Sequence, residues 1–157
     1  MVRFHPHSPN MKIKIITTGG TIDKVYASGK GTLNFGFSDV PAVKEMKKDS
    51  LQITEEDRQL ILKACEKAKE DKILITHGSD TMIETAKFLS IIKDKAIVLT
   101  GAPQPYKFRE SDAEFNIGVA IGALNTLDGG VYIAMNGRVY EWDKCEKRPD
   151  GLFVEKK

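Results

Sequence analysis

Three short runs of aliphatic and β-branched residues punctuate this chain: 12–18 (KIKIITT), 72–76 (KILIT) and 96–100 (AIVLT). Each ends in threonine and passes into a polar segment carrying glycine. Runs of this length and composition, bounded by glycine, read as strands, the second and third of them buried. Helical spacing fills the intervals. Thr54 followed three residues later by Asp57 resembles a capping box, with acidic residues crowding the first turn. Leu60, Ile61, Ala64, Cys65 and Ala68 then repeat on one helical face. Met82, Ile83, Ala86 and Leu89 line a second helix, entered through a turn at 77–80. A third helix is predicted over 111–124, and its Gly118 and Gly122 suggest close packing against a neighbour. Residues 131–135 (VYIAM), an Asn136-Gly137 turn and 138–142 (RVYEW) predict a strand pair. The tail beyond Lys144 is charged and is expected to be loose at its end.

Alternation of this kind predicts an α/β fold, a three-layer Rossmann-like sandwich with a mainly parallel sheet and helices on both faces. In such sheets ligands bind beyond the carboxyl ends of the strands. Thr18-Gly19-Gly20-Thr21, the stretch 76–81 (THGSDT) and the stretch 100–105 (TGAPQP) all follow strand ends, so chemistry is expected on one rim. Residues 21–37 are rich in Gly, Ser and Asn with little periodicity and read as a hairpin or mobile loop. Loops of that length in compact domains tend to be functional. A short helix is expected within 41–49.

Composition narrows the function classes. With 157 residues, 41% hydrophobic and 29% charged, the chain suits one soluble globular domain. Its net charge of +2, with the signs interspersed, leaves no footprint for nucleic acid and no basic stripe for a membrane surface. No apolar run approaches the ~18 residues of a membrane span. Cys65 and Cys145 form no CxxC and no metal-ligand spacing, and Cys65 reads as a small buried hydrophobe. Residues 1–11 are expected to be a disordered leader and 12–157 a single domain. The first ten residues lack the apolar core of a signal peptide, so a cytoplasmic location is the default.

Two segments hold chemically useful groups. In Thr18-Gly19-Gly20-Thr21, paired glycines allow a sharp turn that leaves amides accessible, and the hydroxyl of Thr21 follows into the same space. On spacing alone an ordinary glycine-rich turn is the more economical reading. Neither a dinucleotide fingerprint nor a P-loop is present. In His77-Gly78-Ser79-Asp80-Thr81, Ser79 or Asp80 can simply cap the next helix. Asp80 can equally accept a substrate ammonium, because a carboxylate beside a helix N-terminus stays ionised. His77 has the chemistry of a general base, but its place at a strand end before glycine argues for an interior position. His5 and His7 carry no signal.

These residues carry a resemblance. ThrThrGlyGlyThrIle at 17–22 and ThrHisGlySerAspThrMet at 76–82 resemble the two signature motifs of the bacterial-type L-asparaginase family, in order and at a similar separation. AspSerLeuGlnIleThrGluGluAsp at 49–57 resembles that family's segment bearing a substrate-binding serine. ThrGlyAla at 100–102, SerAspAla with Asn116 downstream, and AsnGlyArgValTyr at 136–140 match later landmarks. The resemblance implies an amidohydrolase that converts L-asparagine to L-aspartate and ammonia, with no metal or organic cofactor. Thr21 matches the nucleophile that attacks the side-chain amide and becomes acylated. Ser79, Asp80 and Lys147 match a second group in which hydroxyl, carboxylate and lysine cooperate, Lys147 being placed by counting from residue 140. Ser50 matches the residue binding the substrate carboxylate, and Asp80 also the one holding its ammonium. Gly20, Asp49 and Gly78 complete the implied binding set, and Tyr26 matches the loop tyrosine beside the nucleophile. A threonine hydroxyl is a weak nucleophile that needs a nearby base, and a lysine serves if its pKa is lowered. Backbone amides near Gly20 or Ser79 would hold the oxyanion.

Three departures stand out. Ser79 replaces the family's usual threonine and loses the methyl that fixes the rotamer. Glu146 replaces a small hydroxyl residue and sets negative charge beside Lys147. The chain also ends where relatives begin a linker to a second domain that helps complete a neighbouring subunit's site. The expected partners are therefore a small amino-acid substrate and further copies of the chain, as a homodimer or homotetramer. Glutamine or another small amide is the near alternative substrate, since one methylene is worth only ~1–3 kcal/mol of discrimination. A non-catalytic asparagine or aspartate sensor is the alternative from outside enzymology.

Overall fold

The computed structural model describes residues 11–19, 48–104 and 110–157. Five strands form one sheet in the order β1 (Ile13–Thr17), β2 (Lys72–Thr76), β3 (Ala96–Thr100), β4 (Gly130–Met135) and β5 (Arg138–Glu141). The first four run parallel, and β5 turns back antiparallel against β4. Register sets Thr17 beside Thr76, Thr76 beside Thr100 and Thr100 beside Ala134. The strand ends are therefore level, and the polar segments leaving them emerge side by side. A hairpin of β6 (Cys145–Lys147) and β7 (Phe153–Glu155) forms a separate two-stranded sheet.

The helices α1 (Glu55–Lys67), α2 (Met82–Leu89) and α3 (Ala113–Leu124) supply both outer layers. Side chains alternate across a strand, so Ile73, Ile75, Ile97 and Leu99 face one way and meet Ile61, Leu62, Met82, Ala86 and Leu89 of α1 and α2. Leu74, Val98 and Ala134 face the other way and meet Ala120 and Leu124 of α3. Ile61, Ile73, Ile75, Leu89, Ile97 and Leu99 are fully buried, each worth roughly 1.5–3 kcal/mol relative to exposure. The chain is thus the expected α/β sandwich with helices on both faces.

Thr54 and Asp57 form the expected capping box, in which Thr54 Oγ1 accepts from Asp57 N and Asp57 Oδ2 accepts from Thr54 N. Burial raises the Asp57 carboxyl, but Lys48 Nζ at 2.8 Å and the Thr54 donors together hold it below the usual range.

Several local expectations are corrected. Leu60 lies on the outer face of α1 and Leu62 takes the inward place. Gly118 and Gly122 are exposed, and a Cβ on either would meet nothing within 4 Å, so they pack against no neighbour among the described residues. The predicted helix over 111–124 begins at Ala113. The tail beyond Lys144, expected to be loose at its end, is ordered through Glu155, folding into β6 and β7 with Phe153 buried in the main core. The expected helix within 41–49 and the loop 21–37 fall mostly or wholly outside the described residues.

Candidate active site

Thr18 leaves β1 with its amide and its hydroxyl both donating to Thr76 O, at 3.1 and 2.9 Å. Gly19 follows with φ 105°, a left-handed value that favours glycine, and bridges in parallel to Lys48. That bridge brings Asp49 and Ser50 to the same rim. Asp49 is exposed, whereas Ser50 is buried at the start of a short 3-10 turn, Ser50–Gln52. Thr81 Oγ1 donates to Ser50 O at 2.7 Å and ties this turn to the start of α2. Gly78 completes the seat, since a Cβ there would lie 2.6 Å from Ser50 Cβ and 2.7 Å from Ser50 Oγ. The backbone at 78 can approach Ser50 only as glycine.

Ser79, Asp80 and Lys147 come together although Lys147 lies 68 and 67 residues further along the chain. Lys147 Nζ donates to Ser79 Oγ at 2.9 Å and to Asp80 Oδ1 at 2.6 Å. The ion pair is partly wet, the side chains being 24% and 52% exposed, so as a bond it contributes about 1 kcal/mol or less to stability. Its importance is positional. An ammonium donates to both partners, and once a proton is lost the amine can accept from the Ser79 hydroxyl. Glu146, expected to burden Lys147, is exposed, and strand alternation sends its side chain to the opposite face of β6.

His77 is not positioned for proton transfer with a ligand. It is fully buried and its amide donates to Thr100 O at 2.9 Å. Arg58 Nε donates to Thr85 Oγ1 at 3.2 Å, and Thr85 Oγ1 lies 2.9 Å from His77 Nε2. Nδ1 lies 2.7 Å from Gly78 O, which can only accept. The imidazole is therefore the neutral tautomer with its proton on Nδ1, accepting from Thr85 at Nε2. Burial, assisted by Arg58 and opposed by the Gly78 carbonyl, pushes the pKa down to about 4. Its interior position agrees with the expectation from its place before a glycine.

Thr85 was not distinguished from its sequence alone; the only signal is a hydroxyl on the otherwise apolar face of α2. Asn116 also acts at this rim, donating through Nδ2 to Gly101 O at 3.0 Å and Asp112 Oδ2 at 2.8 Å. Gly101 presses on the adjoining strand end, where a Cβ would lie 2.3 Å from His77 O. Gly20, Thr21 and Tyr26 lie outside the described residues.

Residues 12–149 match the N-terminal domain of asparaginase. The chain is 30% identical over 155 residues to a glutaminase-asparaginase of Acinetobacter glutaminasificans, covering 82% of this chain and 47% of that protein. It is 29% identical over 155 residues to L-asparaginase 2 of Bacillus subtilis, covering 81% and 41%. The fold superposes on the thermostable L-asparaginase of Thermococcus kodakarensis with a TM-score of 0.74 at 25% identity, over 92% of this chain and 51% of that one. The chain thus spans about half the length of these relatives. With its match over residues 12–149 and its level rim of motif-bearing strand ends, the chain belongs to the asparaginase family.

Proposed function

We propose that the chain hydrolyses the side-chain amide of L-asparagine to L-aspartate and ammonia through an acyl-enzyme on Thr21. The observation that carries this reading is the convergence of Lys147 Nζ on Ser79 Oγ and Asp80 Oδ1 at the rim where the Thr18–Gly19 segment leaves β1. In this reading the Thr21 hydroxyl oxygen attacks the amide carbon while its proton passes to the Ser79–Lys147 pair. The tetrahedral intermediate collapses as the amide nitrogen takes a proton and leaves as ammonia. Water then attacks the ester, its proton returning through the same pair, and aspartate departs. Asp80, half exposed and using one oxygen for Lys147, accepts the substrate ammonium at its other oxygen, and Ser50 receives the carboxylate. General acid–base assistance of this type is worth about 10²–10⁴-fold.

L-glutamine is the second substrate to test, because the name of the Acinetobacter glutaminasificans relative pairs both activities. We also propose that a second copy of the chain closes the pocket, as a homodimer or homotetramer, which sedimentation of the pure protein tests directly. The decisive assay for the activity is ammonia release on mixing purified protein with L-asparagine. Turnover by the wild type and none by Thr21→Ala is expected. Binding of asparagine without ammonia release, unchanged in Thr21→Ala, would falsify hydrolysis and leave a sensor.

A further inference from the structure

Lys147 belongs to the β6–β7 hairpin, which shares no strand pairing with the main sheet. A two-stranded hairpin is marginal in water on its own, so the position of Lys147 Nζ depends on what ties the hairpin down. Cys145 on β6 and Phe153 on β7 are both buried in the main core, and the hydrogen bonds that tie the hairpin to β4 and β5 gather at Phe153. The Phe153 amide donates to Asn136 Oδ1 at 2.9 Å, and the Tyr140 hydroxyl donates to Phe153 O at 3.1 Å. The Phe153 side chain is buried with Cys145 and Tyr140 in the main core. Phe153 is also the residue directly opposite Lys147 in the hairpin register. Its main-chain donor and acceptor are both taken by the β4–β5 hairpin, so the strand facing Lys147 is fixed from behind. Asn136 holds its acceptor there at φ 54°, a left-handed conformation that asparagine tolerates better than most residues.

We propose that Tyr140 and Asn136 are positioning residues that set Lys147 against Ser79 and Asp80 through the backbone of Phe153. The inference rests on the functional reading above only for its effect on turnover. The latch itself is visible without activity, because a Lys147 held by Ser79 and Asp80 reacts slowly with an amine-acylating reagent. Lys63, exposed on α1 and outside the hairpin, serves as the internal reference.

The test acetylates wild type and the variants Tyr140→Phe, Asn136→Gly and Asn136→Asp, reading the rate at Lys147 by mass spectrometry. Asn136→Gly keeps the backbone conformation and loses the acceptor, whereas Asn136→Asp keeps both. Lys147 should react several-fold faster relative to Lys63 in Tyr140→Phe and Asn136→Gly, and at the wild-type rate in Asn136→Asp. Equal rates in all four proteins, or Asn136→Asp behaving like Asn136→Gly, overturn the latch. Where the wild type releases ammonia, kcat should fall by up to about 10²-fold in the first two variants with KM little changed, the cost of misplacing a reacting group by about 1 Å. A wild type without turnover sinks the functional reading alone, and the acetylation rates still decide the latch.

Discussion

The Ser79–Asp80–Lys147 cluster joins two regions that are held in place by different means. Ser79 and Asp80 stand at the β2–α2 junction, inside a parallel sheet whose neighbours are paired on both sides. There the backbone is boxed in: His77 is buried, Gly78 lies against Ser50, and Gly101 lies against His77 O. Lys147 stands on a short hairpin fixed by two buried side chains, Cys145 and Phe153, and a few hydrogen bonds. Close packing admits almost no displacement, whereas a short hairpin can shift while the core stays intact. The site thus pairs a rigid half with an adjustable half, and damage to each should look different.

Removing the adjustable half's only contribution should have the largest effect. Lys147→Met deletes both donors to Ser79 and Asp80 but leaves a side chain of similar length on a partly exposed strand. Ammonia release should drop by about 10²-fold or more, with the melting temperature nearly unchanged, since a partly wet pair contributes little to stability. Retained turnover in Lys147→Met would remove the lysine from the reaction. Loss of both activity and melting temperature would show that the hairpin is more integral than its contacts indicate.

The rigid half should respond the opposite way. Gly101→Ala puts a Cβ 2.3 Å from a backbone oxygen, so a strand end must move. Overpacking of this kind typically costs about 1–3 kcal/mol, and urea unfolding should register it as a lowered midpoint with an unchanged slope. A midpoint equal to wild type would mean that the junction is less tightly boxed than its distances imply.

How far the sequence foretold each half follows from the range of the forces involved. Strands β2 and β3 are legible to the residue because a run of aliphatics bounded by Asp71 and His77, or by Lys95 and Gly101, has only one way to be buried. The capping box at Thr54 and Asp57 is legible because it is local. The hairpin was not, since β6 and β7 are three residues each, too short for periodicity to show. Its order comes from Asn136 and Tyr140, whose bonds to Phe153 span 17 and 13 residues. Gly118 and Gly122 misled for a related reason, because a glycine in a helix does not announce which face it occupies. The rim's chemistry was legible as motifs, but the neutral state of His77 comes chiefly from its burial, and the Thr85 and Arg58 side chains beside it arrive from two different helices.

That neutral histidine gives the junction a pH signature. Its pKa falls from 6.5 in the free side chain to about 4 in the fold. Between those values the unfolded chain binds the proton and the folded chain does not, so the contribution is complete above pH 6.5 and is lost as pH falls towards 4. At pH 5 the loss is about 2 kcal/mol. His77→Gln, which cannot titrate, should be less stable than wild type at pH 7.5 but should lose correspondingly less between pH 7.5 and 5 in matched urea titrations. Parallel loss in both proteins would assign the acid sensitivity to carboxylates such as Asp57, whose pKa is held low.

The smallest effect is expected where the hairpin turns. Gly151 sits at φ 88° with nothing within 4 Å of a Cβ, and its amide donates to Arg148 O at 2.9 Å. Gly151→Ala therefore meets no atom and costs only the left-handed conformation, about 1 kcal/mol. Arg148 adjoins Lys147, so that strain is delivered one residue from the cluster. If the hairpin is the adjustable half, the turn should absorb the substitution locally. Amides of residues 145–155 should then exchange faster while those of β3 keep their protection. Faster exchange throughout β3 would mean that the two halves unfold as one, and the contrast between them would dissolve.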